Sequence, residues 1–209
     1  RGDIGSTSEA YAQAFLGADS PLSGDCVTVA PYMGSDSIGT FLGAGTENKS
    51  GVFVLVKTSN PSAKEIQDIE VLSSIKNVEH LKKVFADSYD ERLGFRVSEI
   101  TAMQVNAVET NVLGAKLSDN GYSFVGAVVG ATNGDELQKF RQLMPVTWIL
   151  APGVGAQGGK IEDVLSIRDE DGLGVLIPVS RSVLYASDGE DYLKAAQKEI
   201  ETLWEAQKI

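Results

Sequence analysis

The sequence is poor in the residues that build thiolate, zinc and triad sites. Its 209 residues contain one cysteine, Cys26, and one histidine, His80. A disulfide framework needs pairs of cysteines, and a structural zinc site or a Ser-His-Asp triad needs several such side chains to converge. The sequence therefore argues against these classes of site, and a single thiol fits a reducing compartment. We expect Cys26 to be a small buried core residue.

Positive charge and long apolar runs are also scarce. Lysine and arginine number 18 against 29 acidic residues, which gives a formal net charge of −11 and argues against a nucleic-acid-binding surface. No apolar stretch approaches the roughly 18 residues that span a membrane, and the N-terminus lacks the pattern of a signal peptide. We therefore expect a cytoplasmic protein, without nucleic acid or membrane partners, that holds any anionic ligand by local geometry.

Short apolar runs alternate with amphipathic stretches along most of the chain. The runs lack polar alternation, as is typical of strands buried on both faces, and the amphipathic stretches have helical spacing. The predicted strands are Cys26–Ala30, Val52–Val56, Phe124–Val129, Trp148–Ala151 and Gly174–Val179. The predicted helices are Ser6–Leu16, Ser35–Leu42, Asp135–Leu143, Ile161–Ile167 and Asp191–Trp204. This order predicts one α/β domain with a parallel sheet and right-handed crossovers.

Residues 70–121 separate two predicted strands by more chain than a simple crossover needs, since ordinary connections run roughly 2 to 6 residues beside one helix. We predict helices there at about Lys76–Tyr89 and Thr101–Leu113. The segment is interpreted as a long helical insertion in a single domain that spans residues 1–209. His80 lies in an amphipathic context, and no acidic residue lies at a spacing that would indicate a catalytic pair. We therefore expect His80 to pack against a helix or lie at the surface.

Two consecutive predicted strands end in residues suited to binding an anion. One continues into the glycine-rich loop Pro152–Gly159, which contains Gln157, and the next ends in Ser180 and Arg181. Glycine lets backbone N–H groups approach a ligand closely, and the arginine fork matches phosphate oxygens. Because (β/α)8 barrels often bind phosphate after their last two strands, this loop together with Ser180 and Arg181 predicts a site that we call the phosphate grip.

Four further segments precede the grip in the order of a known family. They are Arg1-Gly2-Asp3-Ile4-Gly5-Ser6-Thr7, Val27-Thr28-Val29-Ala30-Pro31-Tyr32-Met33-Gly34, Val54-Leu55-Val56-Lys57-Thr58-Ser59-Asn60-Pro61 and Val128-Val129-Gly130-Ala131-Thr132. With them the chain resembles orotidine 5′-phosphate decarboxylase, in the subgroup with a Thr-Ser-Asn-Pro fifth strand. The match runs from Asp3 to about Ala186 and leaves out the long insertion. The resemblance implies the C-terminal five βα units of a (β/α)8 TIM barrel.

The resemblance also implies a carboxy-lyase that converts orotidine 5′-monophosphate to UMP in pyrimidine biosynthesis, with no metal and no organic cofactor. In the family's Asp-x-Lys-x-x-Asp motif, an aspartate stresses the substrate carboxylate, and the lysine stabilises and then protonates the resulting carbanion. Asp3 matches the last aspartate, which reaches across a homodimer interface into the partner's site. The catalytic lysine would sit directly before Arg1, so we expect the chain to be an incomplete record of the enzyme.

Other positions match the family's contacts to the base and ribose. Thr7 would join Asp3 at the ribose of the neighbouring subunit's ligand, and Ser59 would bond the pyrimidine ring. Pro152 and Val154 resemble the apolar wall near the reactive carboxylate. Two purely structural alternatives stay open: Asp3 could cap the first helix, and Ser59 could belong only to a turn that ends its strand.

The phosphate contacts of the family fall on the grip. Gln157 and Arg181 match side-chain ligands, and Ser180 would contribute its backbone N–H where many members of the family have glycine. A purely structural role for Gln157 and Arg181 is the alternative. Lys57 lies in the matched fifth strand, but it does not match the catalytic lysine and is not assigned that role.

Two rival functions stay open for the chain as a whole. One is a noncatalytic phosphate-binding or interaction protein. The other is a different phosphosugar enzyme on a related barrel, of a kind that often needs Mg²⁺.

Overall fold

In a computed structural model of the protein, residues 2–45, 49–71, 94–112, 118–155 and 157–208 are described. The strands are β1 (Cys26–Val29), β2 (Gly51–Lys57), β3 (Glu70–Val71), β4 (Phe95–Arg96), β5 (Val125–Val129), β6 (Ile149–Leu150) and β7 (Val175–Leu176). The helices are α1 (Gly5–Leu16), α2 (Ser35–Gly45), α3 (Lys64–Gln67), α4 (Val97–Val112), α5 (Gly134–Leu143), α6 (Ile161–Leu165), α7 (Arg181–Leu184) and α8 (Tyr192–Ala206).

Five of the strands form one parallel sheet in the order β1-β2-β5-β6-β7. Each new strand of this sheet lies beside the preceding one, with no reversal of direction across the sheet. A doubly wound sheet reverses its strand order at a switch point, whereas a barrel adds its strands successively around a ring. The order is therefore that of a segment of a (β/α)8 barrel, and it brings the carboxyl ends of all five strands to one edge.

The core lies between the central strands and the helices that cover them. All five residues of β5 are buried, as the continuous apolar run predicts. On β2, Val52, Val54 and Val56 are at most 2% exposed and join one cluster with Phe41 of α2 and Phe140 of α5. Each such side chain stabilises the fold by about 1.5–3 kcal/mol relative to exposure. The long apolar runs thus build the middle of the sheet and fix the direction in which its strands end.

The prediction that Cys26 is buried in the core is wrong, because its side chain is exposed. Cys26 is the first residue of β1, which occupies one end of the described five-stranded sheet. Of the four residues of this strand, Val29 alone is buried. An end strand has a neighbour on one side, so its first residue gains little cover.

The second helix predicted in the long insertion exists, but it begins at Val97 and is a crossover helix. This helix, α4, packs against β2 and β5. Ahead of it, β3 and β4 pair antiparallel, with Glu70 opposite Arg96, so the two ends of the intervening chain lie side by side. The helix predicted at Lys76–Tyr89, including His80, lies outside the described residues. The division into one domain with an insertion stays a prediction.

The last helix, α8, has no buried side chain in the described part of the chain. Tyr192 and Ile200 of this helix are 55% and 54% exposed, and Trp204 is 62% exposed. None of the helices in the ranges given above is both long and apolar enough to cross a membrane.

Candidate functional site

The loop Pro152–Gly159 after β6 folds back on itself through glycine. Gly153, Gly155 and Gly158 have φ values of 102°, 74° and 88°, in the left-handed region that glycine adopts without steric cost. The N–H of Gly155 donates to the carbonyl of Gly159 at 3.0 Å, and the N–H of Gly159 donates to the carbonyl of Gly153 at 3.0 Å. These bonds fix one wall of the grip.

The grip encloses a cavity of about 140 Å³ between this loop and the segment that follows β7. Pockets that bury a whole drug-sized ligand measure roughly 300–1,000 Å³, so this cavity suits one end of a ligand, such as a phosphate group. It is lined by Pro152, Gly153, Val154, Gln157, Pro178, Val179, Ser180, Arg181 and Ser182. Five of the predicted site residues are therefore brought together here.

In the described part of the chain, no competing partner binds the donors from the second segment of the grip. Arg181 is exposed at the start of α7, and no carboxylate among the described residues forms an ion pair with its guanidinium. Within the same described ranges, no backbone carbonyl accepts the N–H of Ser180. A guanidinium and a backbone N–H at one cavity are the donors that a phosphate needs.

A direct hydrogen bond joins the grip to the loop that follows β2. The Ser59 hydroxyl donates to Oε1 of Gln157 at 2.7 Å, across 98 positions of sequence. Because the oxygen of the Gln157 amide accepts this bond, its nitrogen carries the remaining donor groups. A Cβ at Gly130 would lie 3.1 Å from the Cβ of Ser59, so the absence of a side chain at Gly130 lets the Ser59 loop lie this close to β5.

Asp3 and Thr7 lie at the other end of the sheet. They stand at the start of α1, which packs on β1 and α2, whereas the grip follows β6 and β7. The Asp3 carboxylate accepts from the N–H of Ile4 at 2.9 Å, and its carbonyl accepts from the Ser37 hydroxyl at 2.8 Å. Ile4 is itself the N-cap, and α1 has no side-chain cap, so the alternative in which Asp3 caps this helix is not the arrangement found. The structure does not bring Asp3 and Thr7 to the grip.

One cluster near the site was missed in the sequence. Lys57 is 4% exposed and its ammonium forms an ion pair with Asp68. Nη1 of Arg96 lies 3.9 Å from the same carboxylate oxygen and also pairs with Glu136. Asp68, Arg96 and Glu136 lie in three separate segments of the chain, and no local spacing in the sequence connects them to Lys57.

Comparison with known proteins gives one family. Residues 1–196 match the model of the family described as Orotidine 5′-phosphate decarboxylase / HUMPS family. The chain is 37% identical over 202 residues to the orotidine 5′-phosphate decarboxylase of Rhodopirellula baltica, and 38% identical over 186 residues to that of Deinococcus radiodurans. A solved structure from Toxoplasma gondii, described as an orotidine-monophosphate-decarboxylase, is similar with a TM-score of 0.74 at 35% identity.

The alignments cover most of this chain but only part of each relative. They span 95% and 89% of the chain against 59% and 57% of the Rhodopirellula and Deinococcus proteins. The Toxoplasma alignment spans 100% of this chain and 65% of that chain. The predicted fold class is confirmed: the five parallel strands and their helices are the C-terminal five βα units of a TIM barrel.

Proposed function

Because the chain belongs to the orotidine 5′-phosphate decarboxylase / HUMPS family, we propose that it is the substrate-holding part of an orotidine 5′-phosphate decarboxylase. The reaction would be the cofactor-free conversion of orotidine 5′-monophosphate to UMP and CO2. Both curated relatives named above are called orotidine 5′-phosphate decarboxylase, which favours this activity over that of a phosphosugar enzyme. A single exposed thiol fits the cytoplasm, where cysteines stay reduced.

The hydrogen bond between Ser59 and Gln157 is the observation that carries the proposal. It connects the residue expected at the pyrimidine ring with a residue expected at the phosphate. A nucleoside monophosphate has its base and its phosphate at opposite ends of a ribose, so one ligand can contact both members of this pair. A site for inorganic phosphate or for a simple sugar phosphate would have no need of the Ser59 end.

In this proposal, the grip holds the substrate by its 5′-phosphate. The Arg181 guanidinium and the Ser180 N–H donate to phosphate oxygens, together with the amide nitrogen of Gln157. Charge-assisted hydrogen bonds of this kind are worth about 1.5–3 kcal/mol each. Binding energy gained at the nonreacting phosphate can then be used to orient the pyrimidine and to strip water from its carboxylate.

The chemistry itself would occur beside the apolar wall of Pro152 and Val154. The bond between ring carbon C6 and the carboxylate breaks, its electron pair stays on C6, and CO2 leaves. The C6 carbanion then takes a proton, which in the family comes from a lysine that matches no residue of the printed chain. An apolar wall disfavours the charged carboxylate more than neutral CO2, so it favours the products of bond cleavage.

We further propose that the active unit is a homodimer with shared sites. Asp3 and Thr7 lie at the β1 end of the sheet and the grip at its β7 end. Asp3 does not reach the grip of its own chain. A second subunit would instead supply its Asp3 to the grip of the first. The separation of the two sets of residues within one chain supports this arrangement.

A decarboxylation assay on the protein expressed from its complete coding sequence tests the proposal. We expect orotidine 5′-monophosphate to be converted to UMP, measured by chromatographic separation of the two nucleotides, at a rate that EDTA does not change. UMP binding without decarboxylation would favour a noncatalytic nucleotide-binding protein. Activity on a sugar phosphate that EDTA abolishes would favour a metal-dependent phosphosugar enzyme.

A further inference from the structure

Lys57 is a buried charge that the proposed chemistry does not use. It is the last residue of β2 and is 4% exposed. Its pairing with β5 is irregular, because Leu55 faces Val128 while Lys57 faces the next residue, Val129. Such a bulge redirects a side chain, and here the ammonium binds Asp68. Burying an ammonium without a partner costs free energy. The ion pair with Asp68 is therefore what allows a lysine at this buried position.

A second pair of side chains lies beside the first. The N–H of Thr58 donates to Oε1 of Gln67 at 2.9 Å, and Nε2 of Gln67 donates to the Thr58 hydroxyl at 2.8 Å. Lys57 with Asp68 and Thr58 with Gln67 therefore close the two ends of the chain segment 57–68 against each other. We call these four residues the loop clamp. Ser59 is the first residue inside the clamp.

The loop clamp is anchored on its far side to other elements. Nη1 of Arg96 lies 3.9 Å from the Asp68 carboxylate that binds Lys57. The same guanidinium pairs with Glu136 in the first turn of α5, and the backbone N–H of Arg96 donates to Glu99 at 3.1 Å. Asp68 is thus held between two cations, and the base of the Ser59 loop is tied to α4 and α5.

We propose that Lys57 is a positioning residue for Ser59. By holding Asp68, it keeps the loop clamp closed, and the closed clamp holds the Ser59 hydroxyl at the distance where it donates to Gln157. The inference rests on the proposed function, because only in that function does Ser59 contact the pyrimidine base of the substrate. Lys57 itself touches no substrate in this arrangement.

The rival interpretation is that the ion pair contributes only to stability. Replacing buried ion pairs with apolar residues is often neutral for stability, whereas a small displacement of a binding group can cost about a hundredfold in rate. The two interpretations therefore differ in which pairs of substitutions have non-additive effects on kcat/KM. A positioning role predicts coupling to Ser59 and none to Arg181, which binds the phosphate from another strand.

The test is a double-mutant cycle in the protein expressed from its complete coding sequence. Lys57→Met keeps an unbranched side chain but removes its charge. In this variant Asp68 keeps its contact with the Arg96 guanidinium. We expect it to lower kcat/KM for orotidine 5′-monophosphate by roughly tenfold to a hundredfold. The loss should not add to that of Ser59→Ala, and it should add fully to that of Arg181→Ala.

Two further variants make the cycle interpretable. Lys208→Met removes the cation from the ion pair with Glu205 near the end of α8, which involves neither a residue of the loop clamp nor one of its anchors, and it should leave kcat/KM within about twofold. Gln67→Leu opens the other half of the clamp without changing any charge, and it should show the same coupling to Ser59. It carries the test if Lys57→Met does not fold, as judged by near-ultraviolet circular dichroism.

Each outcome decides one claim. A wild-type protein that neither binds UMP nor decarboxylates overturns the proposed function and, with it, the role given to Ser59. An active wild type in which the clamp variants add to Ser59→Ala, or couple equally to Arg181→Ala, overturns the positioning role alone. Loss of activity in Lys208→Met equal to that in Lys57→Met would also overturn it.

Discussion

At the scale of single residues, Arg181 is the side chain on which phosphate binding should depend most. It borders the small cavity of the grip and has no ion-pair partner among the described residues. We expect Arg181→Ala to weaken UMP binding by about 1.5–3 kcal/mol per hydrogen bond lost. Arg181→Lys should recover only part of this, because an ammonium cannot make two parallel bonds.

Isothermal titration with UMP measures this effect. Lys198→Ala, which removes an exposed charge on α8, controls for the change in net charge and should bind UMP like the wild type. Equal affinity in Arg181→Ala and the wild type would contradict the assignment of Arg181 to phosphate.

Tyr122 gives a prediction about alkaline stability. Burial, followed by the hydrogen bond that its hydroxyl donates to Asp169 at 2.7 Å, raises the pKa of Tyr122 to about 12, against about 10 in an unfolded chain. The folded state therefore favours the protonated phenol. This stabilisation is present below about pH 10 and is lost as the pH rises from about 10 to 12.

Urea unfolding between pH 9 and 12 measures the loss. The free energy of unfolding should fall less steeply in Tyr122→Phe than in the wild type, because phenylalanine does not titrate. Tyr185→Phe, at a side chain that is 71% exposed, should fall like the wild type. Parallel curves for Tyr122→Phe and the wild type would show that Tyr122 has no such role.

The residue scale also shows where sequence reasoning stops. Gln157 and Ser180 could be placed because they follow strand ends, and strand ends are visible as the limits of apolar runs. The contact of Ser59 with Gln157 could not, since a hydrogen bond across 98 positions leaves no local signal. Cys26 was misplaced because composition does not reveal which strand ends the sheet.

At the scale of elements, Arg141 of α5 joins the segments around β6 and β7. Its guanidinium donates to the carbonyls of Met144 at 3.0 Å, Thr147 at 2.8 Å and Gly174 at 2.7 Å, and its Nε donates to Ile167 at 3.1 Å. One side chain therefore satisfies carbonyls that precede both strands bearing the grip. Removing it leaves the carbonyls of Thr147 and Ile167 without a donor among the described residues, whereas Gly174 still accepts from the N–H of Ile149.

We expect Arg141→Met to lower the free energy of unfolding by about 2–4 kcal/mol, because unsatisfied buried polar groups cost about 1–3 kcal/mol each. Gln142→Ala, at the exposed neighbouring position on the same helix, should change it by less than about 0.5 kcal/mol. Urea denaturation compares the two. A stability loss below about 1 kcal/mol in Arg141→Met would contradict this role.

Most elements could be predicted because their local signals agree. β5 is a continuous apolar run and is buried throughout, and α5 begins within one residue of its predicted start. α4 was assigned to an insertion because its sequence does not reveal that it packs on β2 and β5. The role of a helix as a crossover depends on its tertiary contacts, which helical periodicity alone does not encode.

At the scale of the whole molecule, the positions of Asp3 and Arg181 at opposite ends of the sheet lead to a prediction about subunits. If sites are shared, Asp3→Asn should abolish most decarboxylation while leaving the free energy of unfolding within about 0.5 kcal/mol, as for other surface changes. Mixing Asp3→Asn with Arg181→Ala subunits should restore activity, because the mixed dimer contains one site with both native residues. Activity of the mixture equal to the mean of the two parents would contradict shared sites.

The proposed function depends most on one nucleotide spanning the Ser59 loop and the grip. Titrating the wild-type protein, expressed from its complete coding sequence, with UMP, uridine and ribose 5-phosphate tests this directly. UMP should bind at least about a hundredfold more tightly than either fragment, since charged phosphate contacts contribute about 1.5–3 kcal/mol each and the base contacts add to them. Ribose 5-phosphate binding as tightly as UMP, or uridine doing so, would contradict the claim that both ends of one nucleotide are held here.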